Sequence, residues 1–192
     1  MKKETRILNV EFRTPEEDNK MIVEGYAITF NSPATHGYTE IINDRALDNC
    51  DMSDVPLKYN HEDSHLIMAR TRNKSLELKK DEKGLFIRAE LIDTQSNKDI
   101  YKSIKAGLID KMSFAFTVRE DEYDYDTDTR KILDIDKLYD VSVVDIPFYD
   151  STSVYARNEN EDFLDRRAEL RKKHEDEEAL KKAKEQLRAK LG

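Results

Sequence analysis

Cysteine is almost absent: the chain has only Cys50. One thiol can form neither an internal disulfide nor a cysteine-based zinc site, so a reducing compartment is expected. No uninterrupted apolar run nears the ~18 residues of a membrane span. The opening MKKETRILNVEFR also lacks the apolar core of a signal peptide. An excess of basic charge is missing too, because 33 Lys+Arg against 41 Asp+Glu leave a formal net charge of -8. Broad phosphate-driven binding needs a basic face, so this balance argues against nucleic acid as a partner. Hydrophobic residues are scarce at 38%, below the ~45–50% of an average globular domain. That supports one modest core, and 192 residues make one principal domain the default. These bounds predict a soluble intracellular protein that contacts no membrane.

What is present divides unevenly. Residues 157–192 hold 11 Lys+Arg and 10 Asp+Glu, a net of +1, which leaves 22 and 31, or -9, for residues 1–156. The tail has no proline and is rich in Glu, Lys, Arg, Ala and Leu, all strong helix formers. Leu180, Ala183, Leu187 and Leu191 recur at helical spacing, while RKKHEDEE breaks any apolar stripe. The pattern predicts a charged, solvated helix over 157–192, outside a core domain of 1–156 and detachable from it.

The body predicts strands instead. RILNVEFR, IVEGYAITF, LELKK, LFIRAEL, MSFAFTV and KLYDVSVV alternate and carry β-branched and aromatic residues. DEKG forms a candidate hairpin loop in which Gly84 is free to take a positive φ. The acidic REDEYDYDTDTR separates two further strands. NDRALDNC is a candidate short helix, and TQSNKDIYKSIKAG a second, with Thr94 as N-cap and Gly107 as its stop. Mostly strands with peripheral helices predicts a mainly β, α+β chain, a small closed or partly closed barrel with helices outside.

Three groups of residues carry candidate chemistry. His61-Glu62-Asp63-Ser64-His65 matches H-E-x-x-H formally. Zinc peptidase chemistry on that pattern requires a helix, because i and i+4 spacing lets two imidazoles share one metal. The flanking VPLKYN and LIMARTR look extended, and Met68 and Thr71 stand where the longer motif needs Gly and His. In KMSFAFTV, Ser113, Ala115 and Thr117 share one strand face, with Met112, Phe114 and Phe116 opposite. A small-residue face leaves room beside the Ser113 hydroxyl, as a nucleophile needs, although serine is also common on solvated strand faces. In KLYDVSVVDIP, Asp140, Ser142 and Val144 share a face, and a carboxylate inside so apolar a strand needs a partner. A histidine N–H, a lysine or arginine, or simple edge exposure would each satisfy it, and Asp145 is a competing carboxylate. Asp124, Asp126 and Asp128 resemble the start of a calcium loop, but Thr129 and Ile135 replace its Gly and Glu. His36 reads as a turn residue.

In order, YNHE at His61, AGLIDKMSFAF at Ser113 and LYDVSVVDIPFYDSTSVYAR resemble the tailed-phage (caudovirus) prohead serine protease family. EGYAITFNSPA also looks like that family's opening strand, and the likeness runs from about Val23 to Arg157, leaving out the tail. It implies that His61 is the base, Ser113 the nucleophile and Asp140 the acidic third member. Two positions depart from the family pattern. Asp140 stands where glutamate is more usual, and Ala115 where glycine is frequent. The distantly related herpesvirus assembly proteases use a second histidine as third member, which makes His65 the fallback. The resemblance further implies a herpesvirus-protease-like barrel and a serine endopeptidase packaged in the immature capsid of the host cytoplasm. Its substrates would be the major capsid protein or scaffold, with autocleavage and self-association, and it would need no cofactor or metal. A non-catalytic capsid-assembly module that kept the fold is the alternative of a different class, and a zinc peptidase using His61-Glu62-x-x-His65 is the second alternative.

Overall fold

The computed structural model describes residues 2–9, 12–17, 20–35, 37–63, 67–145 and 161–191. In chain order its first strands are β1 (Glu4–Asn9), β2 (Glu16–Glu17), β3 (Lys20–Thr29), β4 (Ala34–Thr35) and β5 (Thr39–Ile42). There follow β6 (Pro56–Tyr59), β7 (Ala69–Arg70), β8 (Leu76–Lys80), β9 (Gly84–Leu91) and helix α1 (Gln95–Lys105). The long strands β10 (Lys111–Asp124) and β11 (Thr129–Val144) precede helix α2 (Glu161–Leu191). The chain is mainly β with helices, as its alternation predicts.

Its strands make two sheets rather than one closed barrel. The larger runs β1-β10-β11-β5-β4, with β6 pairing β11 and β7; the smaller runs β2-β3-β9-β8. The reason lies in β11, whose 16 residues outreach any single neighbour beyond β10. β5 takes its first end in parallel, at Thr129–Ile132, and β6 its last end, at Val141–Val143. Among the described residues no ladder joins the two sheets, so the closed barrel is not formed. The sheets share a core instead, in which Ile28, Leu85 and Ile87 meet Met112, Phe114, Phe116, Ile135, Leu138 and Val141. Burying that apolar surface stabilises the fold at roughly 25 cal/mol per Å² removed from water.

Local chemistry sets the smaller elements. Thr94 accepts the Asn97 N–H at 3.3 Å and starts α1, while Gly107 at φ +72° ends it. Both follow from the expected cap and stop. Gly84 is needed for a different reason from the predicted one. Its φ is not positive, but a Cβ there would lie 1.9 Å from the Ile28 carbonyl oxygen, so only glycine lets β9 approach β3. NDRALDNC forms successive turns instead of a helix. The Ala46 carbonyl accepts the Ile135 N–H at 2.8 Å, which takes it away from helical pairing.

The acidic segment is strand on both sides of a short turn, because β10 continues to Asp124 and β11 begins at Thr129. Its packed face forms a seat for α2. Phe163, 5% exposed, lies against Tyr38 and Tyr123 and under the Arg130 guanidinium. Arg166 pairs with Asp121 at 2.6 Å, and Arg171 with Asp128 at 3.1 Å. The His174 ring stacks on Tyr125 with centroids 5.0 Å apart. Among the described residues no helix is long and apolar enough to cross a membrane.

Candidate active site

His61 enters the site because the chain reverses just after β6. Asn60 and His61 adopt left-handed backbone angles, φ +51° and +57°. Such angles cost non-glycine residues roughly 1–2 kcal/mol each, although Asn and His tolerate them better than most. Neighbours hold the turn closed. Asn60 N–H donates to Val143 O at 3.0 Å, and Asn60 Nδ2 to Asp145 Oδ1 at 2.9 Å. Asp145 N–H donates back to Asn60 Oδ1 at 3.3 Å, and the Tyr59 hydroxyl donates to the remaining Asp145 oxygen. Burial, with help from this bond, pushes the Tyr59 hydroxyl up to about 12. Asp145, the competing carboxylate, thus anchors the turn and does not meet the imidazole.

The two long strands supply the other members. Ser113 on β10 faces Ser142 on β11, and Ala115 faces Asp140, so all four share one side of the sheet. His61 lies over this face. Its Nε2 is 2.5 Å from Ser113 Oγ, and its Nδ1 is 2.5 Å from Asp140 Oδ1. Residues 52 and 79 positions apart in sequence therefore meet in series through one ring. Ser113 is 0% exposed, and its hydroxyl also lies 2.8 Å from the Arg6 carbonyl of β1, so one proton has two acceptors.

Asp140 has a side chain 2% exposed, and its charge is held by its surroundings. Burial pushes its carboxyl up. The hydrogen bond and close contact with His61 and the charges of Lys58 and Lys3 together outweigh this and hold it below the ordinary 3.8. Lys58 Nζ lies 3.9 Å and Lys3 Nζ 4.0 Å from Asp140 Oδ2. A carboxylate can only accept, so the ring proton belongs on Nδ1 and Nε2 is left as the acceptor for Ser113. A group whose native value is depressed stabilises the fold above its unfolded value and stops doing so as the pH falls through the native one. Asp140 should therefore contribute fully above pH 3.8 and progressively less below it. Urea unfolding of the wild type and Asp140→Asn should differ most near neutrality, and the gap should narrow as acid is added below 3.8. A gap constant through that window would disprove the assignment.

The other predicted sites fare differently. The helix that H-E-x-x-H requires is absent at its first member, since His61 is left-handed and Glu62 N–H closes a turn onto Tyr59 O at 3.1 Å. His65 and His36 lie outside the described residues. Among the described residues no three His, Cys, Asp or Glu side chains are grouped to hold a metal ion. Asp124 accepts from Asp126 N–H and Thr127, an ordinary turn. Burial pushes the Cys50 thiol up to about 12, as expected of an unreactive structural cysteine. The sequence reading did not single out Lys58, Asn60 or the Arg6 carbonyl. Alternation puts Ser142 on the face of Asp140, while its position opposite Ser113 comes from the strand pairing alone. Alternation alone reveals a shared face and not a cross-strand partner.

A hydroxyl, an imidazole and a carboxylate in series on a mainly β scaffold have the layout that nucleophile, base and orienting acid require. The chain belongs to the caudovirus prohead serine protease family, whose sequence profile matches residues 8–166. The prohead protease of Enterobacteria phage HK97 is 29% identical over 139 residues, covering 70% of this chain and 59% of that protein. The chain thus spans less than two thirds of that relative's length. The solved bacteriophage T4 capsid assembly protease overlays with a TM-score of 0.49 at 11% identity, covering 75% of this chain and 99% of the other.

Proposed function

We propose that the protein is a serine endopeptidase that processes the major capsid protein or scaffold inside the immature phage capsid. The observation that carries this reading is the continuous Ser113–His61–Asp140 hydrogen-bonded series. Ser113 Oγ attacks a peptide carbonyl carbon while His61 Nε2 takes its proton. The tetrahedral adduct collapses, the C–N bond breaks, and His61 returns the proton to the departing amine. Water then adds to the acyl-enzyme by the same route and frees the carboxylic acid. Asp140 holds the ring tautomer and balances the imidazolium charge. Because Ser113 is closed to solvent, substrate entry requires a movement that uncovers Oγ. Residues 1–156 would form the protease and 157–192 an arm that recruits it to the assembling capsid, with autocleavage acting on the chain itself.

The complete burial of Ser113 also favours a second reading, a non-catalytic assembly module. Co-expression with the cognate capsid precursor separates the two by mass. The wild type should shorten the precursor, and Ser113→Ala should leave it at full length. Shortening that persists in Ser113→Ala would remove the hydroxyl from the chemistry, and an unprocessed precursor with the wild type would favour the assembly module.

A further inference from the structure

The reaction scheme above uses three side chains, yet a fourth polar group touches two of them. Ser142 Oγ lies 3.1 Å from Asp140 Oδ1 and 3.2 Å from His61 Nδ1, and the residue is 0% exposed. We propose that Ser142 is a positioning residue whose hydroxyl locks Asp140 against His61, so that the imidazole presents Nε2 to Ser113. The inference rests on the serine endopeptidase reading and adds to it a residue that this reading does not need.

Geometry and chemistry converge on this role. Asp140 Oδ1 is the oxygen that faces the ring, and it is the one Ser142 contacts. Since the carboxylate has no proton to give, the Ser142 hydroxyl must be the donor between them. A carboxylate with one partner can still turn about its terminal torsion, which is broad for aspartate. A second donor from its own strand, two residues along, removes that freedom. The Lys58 and Lys3 ammonium groups stand 3.9 and 4.0 Å from the other oxygen, too far for a directional hydrogen bond. Ser142 is therefore the directional group on Asp140 besides the imidazole among the described contacts.

Strand pairing explains why the position suits serine. Ser142 is flanked across the ladders by Ser113 on β10 and Lys58 on β6, so it sits between nucleophile and cation on the site face. A side chain longer than serine's or threonine's would intrude between Asp140 and the ring. Alanine would fit, but a buried carboxylate deprived of a donor is expensive to leave.

The test compares wild type, Ser142→Ala, Ser142→Thr and Ser113→Ala as full-length proteins. One readout is the ¹⁵N shifts of the His61 ring, which report the tautomer without any reaction. The other is the rate at which diisopropyl fluorophosphate modifies Ser113, followed by intact mass. Ser142→Ala should draw the two ring nitrogen shifts together, as tautomers begin to exchange. It should also slow labelling about tenfold or more, the scale of a hydrogen bond to a charged group. Ser142→Thr keeps the hydroxyl and should hold both readouts near wild type. Unchanged ring shifts in Ser142→Ala would overturn the proposal, and so would shifted nitrogens with an unchanged labelling rate. Equal losses in Ser142→Ala and Ser142→Thr would overturn it too, by assigning the effect to packing. If Ser113→Ala is labelled as fast as wild type, or wild type is not labelled at all, the endopeptidase reading fails. The ring shifts of Ser142→Ala then still decide what Ser142 does to His61.

Discussion

If Ser113 and His61 cleave the capsid precursor as proposed, replacing His61 by alanine should slow that cleavage by roughly 10⁶-fold in kcat, as severely as Ser113→Ala, with the double variant no worse. The equality follows from the geometry. Nε2 is the proton acceptor within 2.5 Å of Ser113 Oγ, and the competing acceptor, the Arg6 carbonyl, cannot carry a proton away. Without the ring the hydroxyl is an unactivated alcohol, and without the hydroxyl the ring has nothing to activate. Groups that act as one unit do not add their effects. Single-turnover assays of the three variants, read by mass, check this. A double variant much slower than either single one would mean that the two side chains act independently. A His61→Ala enzyme within tenfold of wild type would dismiss the imidazole as the base.

The second large effect concerns stability. Arg6→Met should lower the unfolding free energy by roughly 3–5 kcal/mol, the cost of removing one partner from a buried ion pair. Arg6 reaches Glu40 through Nε and, at 2.7 Å, through Nη2, and it touches Glu4 at 2.6 Å. Arg130 joins the same group, 2.7 Å from Glu4 and 3.1 Å from Glu40. Both arginines and both glutamates are buried, so the carboxylates cannot turn to water for relief. Burial works against the charge of Arg6, yet its partners, Glu40 foremost and then Tyr38 and Glu4, together more than offset it and hold the guanidinium above its ordinary value. Removing Glu40 as well should restore part of the loss, because the penalty is that of a charge without its counter-charge. Arg6→Lys should recover only part, since an ammonium cannot make the forked contact. Urea unfolding midpoints decide between these outcomes; an Arg6→Met protein within 1 kcal/mol of wild type would show the network to be dispensable. The network also bears on the site. Arg6 belongs to β1, and its carbonyl lies against the Ser113 hydroxyl, so loosening the anchor loosens the strand beside Ser113.

How far the sequence could be read depended on the range of each interaction. The start and stop of α1 were legible because a cap acts within three residues and Gly107 acts through its own backbone. The faces of β10 and β11 were legible because side chains alternate with a period of two. NDRALDNC misled because Ile135, nearly 90 positions away, takes the carbonyl a helix would have used. Gly84 pointed to a turn, while its requirement comes from the Ile28 carbonyl on another strand. The acidic stretch looked like a loop because charge suggests solvent. In the fold its Asp121 and Tyr123 find arginines and an aromatic ring on α2.

By itself, the chain determined which segments alternate, which helix is capped, that Ser113 stands on a small-residue strand face, and that Asp140 shares a face with Ser142 and Val144. Only the tertiary structure decided that these faces adjoin, that Asn60 and His61 turn left-handed over them, that Ser142 meets Asp140 and His61, and that the Arg6 carbonyl meets the Ser113 hydroxyl. The physical reason is that side-chain direction repeats locally. The parallel pairing of β6 with β11 and the register of β10 against β11 are instead set by burying one core across the whole chain.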